Sequence, residues 1–322
     1  MPQAPAFWHD RGGTLLPLLL SPFAAASAAI TAHRVARPGW RAPVPVICCG
    51  NVTVGGAGKT TLALDLGRRL LAHGRRVHFL SRGYGGRGGG THCVAPGDAA
   101  ADVGDEPLLL AEVAPTWTGA DRAASARAAV AARADVLVLD DGLQNPTLRK
   151  DLSLLVVDGT AGFGNGRVLP AGPLREPVAA GASRCQAAVL IGADLAGAAA
   201  ALPRGLPLLR ARLAHGPEVG ELVGRRAFAF AGIASPEKFF ATLGAAGVVL
   251  AGRAGFPDHH PYTDSELRRL LDEAARLDAV PVTTPKDSVR LPAARLAAVR
   301  VVGVAIAWED PAAIEALLSS LF

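Results

Sequence analysis

The residues with the clearest chemical purpose lie in Gly50-Asn-Val-Thr-Val-Gly-Gly-Ala-Gly-Lys-Thr-Thr61, a glycine-rich loop that ends on Lys59-Thr60. An apolar run, Val44 to Cys49, precedes the loop and a helical pattern, Leu62 to Leu71, follows it. Strand, loop and helix in that order are what a phosphate-binding loop requires. Its backbone N–H groups line an anion site, and the helix N-terminus adds its positive end. Thr53, Gly55, Gly56, Ala57, Gly58, Lys59, Thr60 and Thr61 are the expected contacts to a nucleotide's phosphates. Lys59 would reach the β- and γ-phosphates, where a compact ammonium fits and a planar fork does not. The Thr60 hydroxyl would sit on Mg²⁺. Thr53 stands where the usual loop has glycine.

Carboxylates follow at spacings that suit the same chemistry. Asp135-Val-Leu-Val-Leu-Asp140-Asp141-Gly142 reads as an apolar strand ending in two acids, which can hold a metal ion or simply form a turn. Gly104-Asp105-Glu106-Pro107 opens a helical stretch, so Asp105 is either a cap or a proton acceptor for a hydroxyl. Arg82 in Ser81-Arg82-Gly83-Tyr84-Gly85-Gly86, and Arg175-Glu176 in a proline-framed loop, follow strands and so belong near the same face. In Phe256-Pro-Asp258-His259-His260-Pro-Tyr262 the adjacent histidines point in different directions, which argues against zinc and for a His bonded to a carboxylate. Lys286, in Thr283-Thr284-Pro285-Lys286-Asp287, either contacts ligand or pairs with Asp287 on the surface.

The elements that must carry these residues alternate. Val44–Cys49, Val77–Leu80, Val136–Leu139, Leu152–Val157 and Ala187–Ile191 read as strands separated by helical patterns. That alternation predicts a parallel sheet with helices on both faces and ligands at the carboxyl ends of its strands. Three parts are expected: an N-terminal segment (residues 1–42), a nucleotide-binding α/β domain (43–215) and a smaller α/β domain (225–322). The last would hold strands at Ala227–Ala231, Val248–Ala251, Val280–Thr283 and Val301–Ala307, and helices at Asp264–Leu277 and Pro311–Leu318.

A net charge of +5 suits anionic partners, yet no Lys/Arg block or aromatic series points to nucleic acid. Four cysteines, Cys48, Cys49, Cys93 and Cys185, lack metal-ligand spacing and read as small buried hydrophobes. Thr14 to Ala32 runs 19 residues without a charge, bordered by Trp8 on one side and Arg34, Arg37, Trp40 and Arg41 on the other. Such a border marks a membrane interface. Pro17 and Pro22 weaken a full span, so a spanning helix, an interfacial anchor and a buried core helix all stay open.

GNVTVGGAGKT, LSRGYGG, DVGDEP, DDGLQN, LPAGPLREP, GIASPEKF, FPDHHPYTD and TTPKD, in that order, resemble the tetraacyldisaccharide 4′-kinase family of lipid A biosynthesis. The resemblance implies a P-loop NTPase-like α/β fold and transfer of the ATP γ-phosphate to the 4′-hydroxyl of a tetraacylated glucosamine disaccharide 1-phosphate. It implies Asp105 as base with His259 beside it, and Lys59 in catalysis. Thr60, Asp140, Asp141 and Glu176 would serve Mg²⁺, and Arg82, Gln144 and Arg175 the substrate. It further implies association with the cytoplasmic face of the inner membrane, a lipid A disaccharide precursor as partner and no obligate protein partner. Leu143 and Asn145 stand where the family usually has Phe and His. The alternative from another class is a P-loop ATPase switch of the partition or metal-insertion type, although those loops carry a Lys where this chain has Val54.

Overall fold

The computed structural model describes residues 5–8, 15–83 and 90–322. Thr14, and Tyr84, Gly85 and Gly86 of the Arg82 turn, lie outside the described residues. The first part of the chain supplies strands β1 (Val46–Gly50), β2 (Val77–Ser81), β3 (His92–Cys93), β4 (Thr116–Thr118), β5 (Val136–Asp140), β6 (Leu152–Asp158), β7 (Ala187–Ile191) and β8 (Leu208–His215). A second set follows: β9 (Arg226–Ala231), β10 (Val249–Gly255), β11 (Val280–Thr283) and β12 (Arg300–Val301), before β13 (Val304–Trp308).

The larger sheet has nine strands in the order β13-β8-β7-β6-β1-β5-β2-β4-β3. Neighbours from β8 through β4 pair in parallel, and an antiparallel strand closes each edge. Strands of this kind are apolar on both faces because helices cover both. Val46 and Cys48 of β1 face one core with Leu137 and Leu139 of β5. Ile47 and Cys49 face the other with Val136 and Val138. The cysteines are free, and burial pushes the Cys48 thiol up to about 11. The helix Lys59–Ala72 lays Leu62, Leu66 and Leu70 onto the second core, spacings of four residues that keep one face inward.

The smaller sheet is all parallel, in the order β10-β9-β11-β12. β9 alternates cleanly. Ala227, Ala229 and Ala231 pack with Phe240 and Leu243 on one side, while Phe228 and Phe230 meet Leu267 and Leu270 on the other. The helix Asp264–Arg276 starts on a capping box between Thr263 and Glu266, as its sequence predicts.

One sequence expectation is corrected. Val301–Ala307 is not one strand of the smaller unit. The chain leaves the smaller sheet at Val301, and Val304–Trp308 pairs antiparallel with β8 of the larger one. The closing helix Pro311–Ser319 follows it, packing Ile314 and Leu318 with Leu62 and Leu66. The physical reason is β8, a strand absent from the sequence reading: its open edge needs a hydrogen-bonding partner. Of the three readings left open for the N-terminal segment, the buried core helix does not fit. Helices Leu15–Leu19 and Ser21–Val35 bury only Pro17, Ala24 and Thr31. Leu15, Leu19, Phe23 and Ile30 on the opposite side are 65 to 74% exposed. Among the described residues no helix is long and apolar enough to cross a membrane.

Gly67 is where the helix Lys59–Ala72 meets the sheet most closely. A Cβ there would lie 2.3 Å from Phe79 Cζ, and Phe79 is fully buried. Alanine gains about 1 kcal/mol of helix propensity over glycine. Overpacking against an immobile ring costs about 1–3 kcal/mol, and two further ring carbons lie within 3.3 Å of that Cβ. Gly67→Ala is therefore expected to lower the denaturant midpoint, and an unchanged or raised midpoint would contradict this packing.

Candidate active site

The sheet order places β1 between β5 and β6, the point where successive connections run to opposite sides and where open α/β sheets bind ligands. Asn51 to Gly58 leaves β1 there. Gly55 adopts φ +105°, which an L side chain rarely tolerates, and a Cβ on Gly55 or Gly56 would meet nothing within 4 Å. Among the described residues, the N–H groups of Gly55, Gly56, Ala57 and Gly58 have no hydrogen-bond acceptor. The loop thus presents a row of free donors beside the helix N-terminus at Lys59, the composition of an anion cradle.

A second loop clamps the first. Val54 N–H donates to the Pro173 carbonyl at 2.8 Å, and Arg175 N–H donates to Val52 O at 2.6 Å. Between them Thr53 forms an antiparallel bridge with Leu174. Thr53 Oγ1 also accepts from Asn51 Nδ2 at 3.0 Å. A glycine at position 53 would lose that bond, which accounts for the threonine.

β5 brings its acids alongside. Cys49 pairs with Asp140 in register, and Thr60 Oγ1 donates to Asp140 Oδ2 at 2.8 Å. Asp140 Oδ1 is buried without a hydrogen-bond partner among the described residues. Burial, with Asp141 and Glu106 nearby, pushes the Asp140 carboxyl up to about 7 against the pull of Thr60 and Lys59. Asp141 follows in the left-handed region, φ 57°, and faces Lys59 Nζ at 3.4 Å and Arg175 Nη1 at 3.0 Å. Burial alone would raise the Asp141 carboxyl, but those two cations hold it below the usual carboxylate range.

The expected metal set does not assemble as a unit. Among the described residues no three His, Cys, Asp or Glu side chains are grouped to hold an ion. Glu176 Oε1 is committed elsewhere, accepting from Gln144 Nε2 at 2.8 Å and Arg184 Nη2 at 2.7 Å. Gln144 also donates to Asn51 O at 2.8 Å, and its own Oε1 is 3.4 Å from Arg175 Nη1. Gln144, Arg175 and Glu176 thus brace the loop from behind. Arg82 stands apart from them, exposed just beyond β2.

The smaller unit reaches this edge of the sheet at Asp105. That residue opens the helix Asp105–Ala111 and is 4% exposed. Its Oδ2 accepts from His259 Nδ1 at 2.6 Å and from Arg290 Nε at 3.0 Å. Burial would raise the Asp105 carboxyl, yet the His259 bond, Arg290 and Lys286 together hold it below the ordinary value. Lys286 pairs with Glu106 at 2.9 Å rather than with Asp287. Asp287 is fully buried and accepts from Gly232 N, Tyr262 Oη and Thr284 Oγ1. The two histidines separate as their chemistry demands. His259 meets Asp105, whereas His260 stacks on Phe256 with centroids 4.6 Å apart. Arg290 was missed by sequence reading; it sits three residues past the Lys286-Asp287 pair in no motif of its own.

Comparison with known proteins decides what this constellation belongs to. The tetraacyldisaccharide-1-P 4′-kinase (LpxK) family model matches residues 16–322. This chain belongs to that family. The tetraacyldisaccharide 4′-kinase of Gluconacetobacter diazotrophicus is 60% identical over 98% of this chain and 97% of its own length. That of Rhodospirillum centenum is 58% identical over 99% and 96%. The crystal structure of LpxK from Aquifex aeolicus in complex with ATP superposes with a TM-score of 0.78 at 27% identity, covering 95% of this chain and 99% of that one. The chain is therefore a kinase with the LpxK fold. Where this family usually has His, Asn145 Oδ1 accepts from Thr147 N and Oγ1, and its carbonyl accepts from Lys150. Asn145 is thus a turn residue here. Leu143 fills its place at 3% exposure against β1.

Asp140 makes stability depend on pH in the protein free of nucleotide and metal. Between the unfolded carboxyl value, 3.8, and about 7, the native state keeps a proton that the unfolded chain has released. Unfolding free energy therefore falls as pH rises through that window, by on the order of a few kcal/mol. Asp140→Asn should flatten this slope in urea titrations at pH 5 and pH 8; an equal slope in both proteins would remove Asp140 as its source.

Proposed function

We propose that this kinase transfers the γ-phosphate of ATP to the 4′-hydroxyl of a tetraacylated glucosamine disaccharide 1-phosphate, at a lipid surface. The observation that carries the reading is the 2.6 Å bond between His259 and Asp105, which leaves a carboxylate beside the phosphate loop. Asp105 Oδ1 has no hydrogen-bond partner among the described residues. It is the oxygen available to a hydroxyl.

In this reading the loop N–H groups and Lys59 hold the phosphates and offset the charge that develops on them. The acceptor hydroxyl oxygen forms a bond to the γ-phosphorus as the bond to the bridging oxygen breaks and ADP leaves. The hydroxyl proton passes to Asp105 Oδ1. His259 keeps the Asp105 carboxylate oriented through Oδ2. Thr60 and Asp140 suit a bound Mg²⁺, because the partnerless Asp140 Oδ1 and the raised Asp140 carboxyl both ask for positive charge. Such an ion supplies countercharge to the phosphate oxygens. Asp141 is already neutralised by Lys59 and Arg175, so its role is to orient Lys59. Glu176, Gln144 and Arg175 act through the loop they brace, and Arg82 is an exposed cation beyond β2 suited to an anionic substrate.

Labelled ATP, Mg²⁺ and the disaccharide lipid should yield labelled lipid. Asp105→Ala should cut that turnover by about 10²–10⁴-fold while ATP still binds. ATP hydrolysis indifferent to the lipid would instead indicate a nucleotide switch.

The exposed apolar side of Ser21–Val35 supports docking on the cytoplasmic surface of the inner membrane. Its packed face, Leu20, Ala24 and Ala28, holds the helix to the core, and Leu15, Leu19, Phe23 and Ile30 are left outward. Arg34, Arg37 and Arg41 follow where headgroups would lie. Burying a large apolar side chain is worth about 1.5–3 kcal/mol. Leu19→Glu with Phe23→Glu should therefore weaken binding to phospholipid vesicles at least about tenfold without altering ATP affinity; unchanged vesicle binding would dismiss this face as the contact.

A further inference from the structure

Arg290 joins His259 in tying the smaller unit to Asp105, and its surroundings are unusual for a residue that only holds a fold. Its side chain is 5% exposed. Nε donates to Asp105 Oδ2 at 3.0 Å. Nη1 donates to the carbonyls of Gly232 at 3.1 Å and His260 at 3.3 Å, and to Asp287 Oδ1 at 3.3 Å. Nη2 is buried with no hydrogen-bond partner among the described residues. Burying a guanidinium with a donor unsatisfied is costly, and an apolar side chain of similar volume often stabilises a fold as well or better. The position of this charge therefore asks for a reason beyond packing.

Its geometry supplies one. Asp287 is fully buried and already accepts from Tyr262, Thr284 and Gly232, so it fixes one side of the guanidinium plane. The other side meets Asp105. Oδ2 of Asp105 then carries two donors from the smaller unit, His259 and Arg290, while Oδ1 carries none among the described residues. A carboxylate held on one oxygen by two fixed donors keeps its second oxygen aimed.

Resting on the reading of Asp105 as proton acceptor, we infer that Arg290 is a positioning residue for phosphoryl transfer: it fixes the Asp105 carboxylate, supplies its countercharge and makes the finished base depend on the docked smaller unit. The charged groups that face Asp105 are His259 from the Phe256–Tyr262 segment, Lys286 and Arg290 from the segment after β11, and Glu106 beside it on its own helix. Loss of Arg290 removes a cation from a buried carboxylate. The carboxyl then holds its proton to higher pH, and activity is lost first on the acid side.

The test measures kcat and KM against pH for the full chain with ATP, Mg²⁺ and the disaccharide lipid, together with ATP affinity. Arg290→Met should lower kcat about 10–100-fold and move the acid limb up by about one pH unit, with ATP affinity unchanged. Arg290→Lys should keep the acid limb near its parental position yet recover little of the rate, because one ammonium cannot span Asp105, Gly232 and Asp287 together. A uniform loss in Arg290→Met with the acid limb unmoved would reduce Arg290 to a structural part and overturn the inference. Should Arg290→Met not fold, parental kcat in Arg290→Lys would overturn it equally. Asp105→Ala separates the two levels. Parental turnover there sinks the base reading itself, whereas an inactive Asp105→Ala beside a parental Arg290→Met sinks the positioning role alone.

Discussion

The parallel pairing of β1 with β5 is the contact on which the site depends. Its register sets Cys49 against Asp140, so the strand that launches the phosphate loop ends level with the strand that delivers the acid. Thr60, on the first turn of the helix after the loop, then falls within 2.8 Å of that acid. A slip of one residue would turn Asp140 toward the opposite face of the sheet. Both strands are buried on both faces, and the two apolar cores they separate make such a slip costly. Ordinary hydrophobic burial thus fixes a polar geometry that no polar bond in the site could hold unaided.

The loop itself is held from outside its own strand and helix. Pro173, Leu174 and Arg175 pair with Val52, Thr53 and Val54 as a short antiparallel ladder. Behind it, Gln144 links Asn51 to Glu176, and Arg184 completes the charge balance of Glu176. The consequence is a division of labour among acids that look alike in sequence. Asp141 and Glu176 have cations of their own, whereas Asp140 has only a hydroxyl and an unfilled oxygen. On the proposed reading, the acid that lacks a protein cation among the described residues is the one left for an external one.

Much of this was legible in the chain because local rules carry it. The glycine loop between an apolar strand and a helix, the strand ending in Asp140-Asp141, and the Thr263–Glu266 cap each depend on a few neighbouring residues. What was not legible depends on distant pairing. β8, Leu-Leu-Arg-Ala-Arg-Leu-Ala-His, mixes charge into a half-exposed strand and so lacks the continuous apolar run of its neighbours. Its partner β13 lies some ninety residues later in sequence, which is why the end of the chain was assigned to the wrong sheet. Glu176 was grouped with the metal acids only through resemblance to the family; its bonds to Gln144 and to Arg184, eight residues on, depend on tertiary contacts that the sequence does not display. Arg290 offered no signal at all, since any of the 29 arginines could serve as surface charge in so arginine-rich a chain.

The placement of cations across the junction bears on how a kinase of this family avoids wasting nucleotide. The larger unit contains the glycine-rich loop, Lys59, Thr60, Asp140 at the end of β5 and Asp141 just after it, the residues proposed to hold the triphosphate. It also contains Asp105, but among the described residues every cation paired directly with that carboxylate comes from the smaller unit. Without His259, Lys286 and Arg290, burial would favour the protonated acid, which cannot accept a hydroxyl proton. If Asp105 is the base, as proposed, binding of nucleotide and completion of the base are carried by different parts of the fold. On the proposed reading, only the docked arrangement pairs a gripped phosphate with a carboxylate held in place by His259 and Arg290. The cleft between the units is then where selection of a sugar hydroxyl over water is built, from charge balance rather than from any single catalytic side chain.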